Sequence, residues 1–67
     1  MKELRISYDK KTDVFYITFE KIKKTIGKEI ANEVVQRIDP KTGKIVGYTI
    51  LRFSKKEKVE MPINFAL

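Results

Sequence analysis

Two turn motifs about thirty residues apart punctuate this chain and constrain its fold. Asp9-Lys10-Lys11-Thr12-Asp13 and Asp39-Pro40-Lys41-Thr42-Gly43 share the pattern Asp-x-Lys-Thr-(Asp/Gly), and each runs into an apolar segment. An Asp at the head of a turn accepts hydrogen bonds from the backbone just ahead of it. Pro40 presets φ for the next turn position, and Gly43 can take the left-handed conformation that closes the turn. Each motif predicts a β-hairpin.

The flanking residues have the matching period. Leu4, Ile6 and Tyr8 alternate with Arg5, Ser7 and Asp9, as in a half-buried strand. Val14-Phe15-Tyr16-Ile17-Thr18-Phe19 is β-branched and aromatic, with Phe15, Ile17 and Phe19 on one face and Tyr16, Thr18 and Glu20 on the other. These segments predict a first hairpin over residues 3–20. The second runs from Val34-Val35-Gln36-Arg37-Ile38 through the second motif into residues 45–53. There Val46, Tyr48 and Ile50 lie on one side, and Ile45, Leu51 and Phe53 on the other. A strand apolar on both sides is expected in the middle of a sheet, covered above and below. Gly47 within it marks a bulge or a close approach by a neighbouring side chain.

Residues 20–33 admit two readings. Ile22, Ile26 and Ile30 recur every four residues, which suits a helical stripe. Gly27 costs about 1 kcal/mol against Ala in a helix interior, and Thr25 and the isoleucines are β-branched. The favoured reading is a short strand or extended crossing near 25–30, then a turn at Ala31-Asn32-Glu33. The expected fold class is mainly β: an antiparallel meander of two β-hairpins, four to five strands in one sheet. The alternative is α+β with one short helix at 20–33. Residues 1–67 form a single small domain, with 55–67 as a charged, then apolar, C-terminal tail.

Sixty-seven residues are near the lower limit for an unaided core. Without Cys there is no disulfide or thiolate metal site, and without His the usual acid/base group and commonest metal ligand are missing. Ser7 and Ser54 therefore have no His to activate them as nucleophiles. Asp9 and Asp13 offer oxygen ligands for a hard cation, but a turn role explains Asp9 and Asp39 more simply. Neither catalysis nor a metal or cofactor is expected. No apolar run reaches the length of a signal sequence or membrane span, so a soluble, cytoplasmic protein is expected.

Charged residues make up 36% of the chain, and 15 basic against 9 acidic residues give a net charge of +6. Such a Lys-rich surface reads first as thermophile-like and second as an attraction for nucleic acid. On the second reading, Tyr16 and Tyr48 stand on corresponding strands of the two hairpins as stacking surfaces, ringed by Lys21, Lys23, Lys24, Lys28, Lys41 and Lys44. On the first, the tyrosines simply pack against another layer.

The order of these pieces resembles the prokaryotic domain-of-unknown-function family 2283. That family opens with a strand leading to Tyr-Asp-x-x-x-Asp, followed by (Val/Leu)-(Phe/Tyr)-Tyr-Ile and later Asp-x-x-Gly-x-(Ile/Val)-Val-Gly. Here these read Tyr8 to Ile17 and Asp39 to Gly47. The resemblance covers residues 3–20 and 34–54; the tail after Ser54 has no counterpart. It implies a small, mainly antiparallel β domain, with no established activity or catalytic residues to carry over, and suggests the partner protein of a two-gene pair. The chain itself reads as a non-enzymatic macromolecular interaction module, with sheet-mediated nucleic-acid binding as the alternative. Self-association is a further expectation. The apolar tail, through Ile63, Phe65 and Leu67, or a second sheet would cover exposed apolar surface in a two-fold dimer.

Overall fold

A computed structural model describes residues 4–61. These residues form one antiparallel sheet of five strands: β1 (Arg5–Asp9), β2 (Val14–Thr18), β3 (Ile26–Ala31), β4 (Val34–Ile38) and β5 (Ile45–Ile50). A 3-10 turn, η1 (Phe53–Lys55), follows. Both expected hairpins are present, and the ambiguous segment is strand β3, with the turn into β4 at Asn32 and Glu33. Gly27 and the β-branched residues there favour the extended chain over the helical stripe.

Both repeated motifs build the same turn. The Asp9 carboxylate accepts from the Lys11 backbone N–H at 3.0 Å, and Asp39 accepts from that of Lys41 at 2.9 Å. The fifth residue is left-handed in each, with φ of 59° at Asp13 and 76° at Gly43. Asp tolerates that region better than most residues with a side chain, and Gly has no steric cost there.

Strand order is β1-β2-β5-β4-β3, so the two hairpins join through β2 and β5, and β3 adds beyond β4. The chain therefore passes from β2 to the far edge along one end of the sheet, instead of stepping to the neighbouring position. This connector is tied down on the way. The N–H groups of Phe19 and Glu20 donate to the Val46 carbonyl, and the Arg37 guanidinium donates to Thr25 Oγ1 at 2.9 and 2.5 Å.

Register sets the two faces. Ile17 stands opposite Tyr48, Phe15 opposite Ile50, and Val34 opposite Ile50 from the other side. Ile17, Val34, Tyr48 and Ile50 form the buried cluster, and Phe15, Phe19, Phe53, Val59 and Met61 pack on it. Strand β5 is central, as expected, but within the described residues only the face bearing Val46, Tyr48 and Ile50 is buried. Ile45 and Leu51 remain exposed at 40% and 38%. Phe53 does not join them. The strand ends at Ile50, and Arg52 at φ 48° reverses the chain, so Phe53 folds back to stack on Phe15 at 4.5 Å on the covered face. Gly47 sits beside a register shift and close to a neighbour, which proves to be backbone: a β-carbon there would stand 2.5 Å from the Ile17 carbonyl oxygen. Ile63, Phe65 and Leu67, expected at a dimer contact, lie outside the described residues.

Candidate functional site

The topology sorts charge by position. The β1–β2 turn, the β3–β4 turn and the η1 segment lie together at one end of the sheet. Among the described residues there, Lys10, Lys11, Arg52, Lys55, Lys56 and Lys58 are equalled in number by Asp9, Asp13, Glu29, Glu33, Glu57 and Glu60. Glu33 accepts from Arg52 Nε at 2.6 Å and from Lys56 Nζ at 3.3 Å, and Lys58 pairs with Glu60 at 3.0 Å. The Arg52 hydrogen bond holds the Glu33 carboxyl below the usual carboxylate range.

A second polar cluster at this neutral end is structural. Asp13 accepts from the Tyr8 hydroxyl at 2.5 Å, the Ser54 backbone N–H at 3.0 Å and the Ser54 hydroxyl at 2.6 Å. These bonds fasten η1 to the first hairpin, beneath the rings of Tyr8, Phe15 and Phe53. The Ser54 and Tyr8 hydroxyls lower the Asp13 pKa, and Asp13 in turn raises that of Tyr8. Local sequence holds no sign of this link, because Asp13 and Ser54 are 41 residues apart. Asp9 is occupied with its own turn, as expected, so the two carboxylates do separate work.

The opposite end holds the β2–β3 connector and the β4–β5 turn, and it is strongly basic. Among the described residues, Arg5, Lys21, Lys23, Lys24, Arg37, Lys41 and Lys44 share this end with two acidic residues, Glu20 and Asp39. Asp39 is buried in its turn, where it also accepts from the Thr42 hydroxyl at 3.1 Å. The side chains of Lys21, Lys23, Lys24, Lys41 and Lys44 form no ion pair among the described residues. The sheet face away from the core bears a groove of about 300 Å³ here, lined by Tyr16, Thr18, Lys21, Thr25, Arg37 and Thr49 across the bare backbone of Gly47. A larger depression of about 730 Å³ lies at the neutral end, but its charged walls, Glu33, Arg52 and Lys56, already bond to one another.

The two tyrosines do not form one platform. Tyr16 pairs with Ser7 and Thr49 on the open face and is 37% exposed. Tyr48 faces the core, 1% exposed, with the Phe19 ring edge-on at 6.0 Å and its hydroxyl accepting from Gln36 at 3.4 Å. For Tyr48 the packing reading is the correct one. Lys28 lies opposite Gln36 and so projects on the Tyr48 face, away from Tyr16. The other five lysines gather at the basic end.

Among the described residues no helix is long and apolar enough to cross a membrane, and no group of three carboxylates forms a cation site. No curated protein and no solved structure matches the chain. A family model described as a protein of unknown function, DUF2283, matches residues 5–54. That span takes in all five strands and the 3-10 turn up to Ser54, and the chain belongs to the DUF2283 family.

Proposed function

We propose that this chain is a small, non-catalytic binding module that holds single-stranded nucleic acid at the basic end of its sheet. The supporting observation is the segregation of charge. Among the described residues, seven basic side chains meet two acidic ones at one end, while six meet six at the other. A surface adapted only to heat would balance its charges throughout, as the neutral end does in number and, around Glu33, in ion pairs. Lysines spaced along a loop and a turn suit a flexible run of phosphates, and the exposed Tyr16 ring offers a stacking face for a base. Arg37 and the threonine hydroxyls in the groove add donors for phosphate or sugar. With Tyr48 buried, Tyr16 is left of the two strand tyrosines, so affinity is mainly electrostatic. The non-catalytic part of the reading rests on the sequence, which has neither His nor Cys.

Fluorescence anisotropy of a short labelled RNA at low salt tests this. The triple variant Lys21→Glu, Lys23→Glu, Lys24→Glu should abolish binding, whereas Lys10→Glu, Lys11→Glu at the neutral end should leave most of it. No binding by the natural chain, or equal loss from both variants, would overturn the proposal. Retention of a protein partner instead would return the chain to a protein-interaction role.

A further inference from the structure

The two edges of the sheet differ in a way that bears on self-association. Strand β3 is a guarded edge: its ladder is broken by a register shift between Glu29 and Ala31, and Lys28 stands in mid-strand. Bulges and edge lysines are devices that discourage pairing with another chain. Strand β1 has neither. Its five residues, Arg5-Ile6-Ser7-Tyr8-Asp9, keep unbroken register with β2, contain no Lys or Pro, and are exposed throughout.

That short sequence is also self-complementary. Run antiparallel to itself and centred on Ser7, it places Arg5 opposite Asp9 of a second copy, Ile6 opposite Tyr8, and Ser7 opposite Ser7. Opposite charges and an aromatic–aliphatic pair are favourable cross-strand neighbours. Arg5 and Asp9 belong to one face; Ile6 and Tyr8, 60% and 43% exposed, belong to the face that continues into Ile17 and Phe15. A guanidinium has several donors, so Arg5 can add a carboxylate to whatever else it holds. Antiparallel pairing also sets the basic end of each copy beside the neutral end of the other, keeping like charge apart.

We propose that two copies of this chain pair through their β1 edges about a two-fold axis at Ser7, joining the two sheets into one. The pairing goes beyond the nucleic-acid reading and does not depend on it.

Sedimentation equilibrium over micromolar concentrations tests it. The natural chain and Ile26→Lys, at the opposite edge, should be dimers, and Ile6→Lys should be a monomer with an unchanged circular dichroism spectrum. Arg5→Asp or Asp9→Arg alone sets like charges across the axis and should weaken the dimer at least about tenfold. The double variant Arg5→Asp, Asp9→Arg should restore it, and this comparison decides the matter if Ile6→Lys does not fold. A natural chain that stays monomeric at high micromolar concentration, dissociation by Ile26→Lys, or failure of the double variant to recover would overturn the proposal.

Discussion

The Ile17 carbonyl oxygen stands 2.5 Å from the point where a β-carbon on Gly47 would lie. The obstacle is the backbone of β2 next to β5 at the centre of the sheet, and it has no side-chain freedom with which to move aside. Gly47→Ala must part the two strands or distort the register shift beside them. The expected loss is about 1–3 kcal/mol, the range for overpacking a core, measured by urea denaturation. Gly27→Ala meets only the Val35 side chain, at 3.1 Å, and should cost clearly less.

Asp13 links stability to pH in both directions. Its carboxyl is held low by the Ser54 and Tyr8 hydroxyls, and the Tyr8 phenol is held high by Asp13. A carboxyl lowered by folding stabilises above its unfolded pKa, and that contribution disappears as pH falls through the folded value. A phenol raised by folding stabilises below its unfolded pKa, and that contribution disappears as pH rises through the folded value. Asp13→Asn removes both. The stability difference between natural chain and variant should be greatest between about pH 5 and 9 and shrink on either side. A difference independent of pH would contradict the linkage. Ultraviolet titration should also find one tyrosine ionising at lower pH in the variant.

The two strand tyrosines should respond in opposite ways to removal. Tyr48→Ala empties the middle of the buried cluster and should cost about 3–5 kcal/mol, enough to unfold much of so small a domain. Tyr16→Ala should keep the fold and weaken RNA binding by about 1–3 kcal/mol, the usual range for a stacked base. Thermal melts and anisotropy on the same samples separate the two effects.

Salt should act through the lysines. For a single strand, the slope of log affinity against log salt grows by about 0.7 with every phosphate that a cationic side chain neutralises. Lys41→Ala and Lys44→Ala should each lower the slope by about that amount, and Lys55→Ala should leave it unchanged.

The strands are legible in the sequence because period-two patterning and turn chemistry are local. Asp9 and Asp39, at equivalent places in their motifs, make equivalent hydrogen bonds. Even β3 is within reach, since Gly27 and its β-branched neighbours argue against a helix. Register between strands distant in sequence is not legible. Nothing near Tyr48 says that it lies opposite Ile17 instead of Tyr16, and a shift of one residue exchanges faces. The reversal at Arg52 carries no glycine to announce it, so simple alternation puts Phe53 on the wrong side. The basic end follows from strand order: only because β5 returns beside β2 do the connector lysines and the β4–β5 turn meet at one end.

Mapping amide shifts by nuclear magnetic resonance during titration with a short single-stranded RNA tests the nucleic-acid reading most directly. The expected changes fall on Tyr16, residues 21–25 and residues 41–47, and they fade as salt is raised. Changes confined to the neutral end around residues 10–13 and 52–58, or no change at low salt, would contradict it.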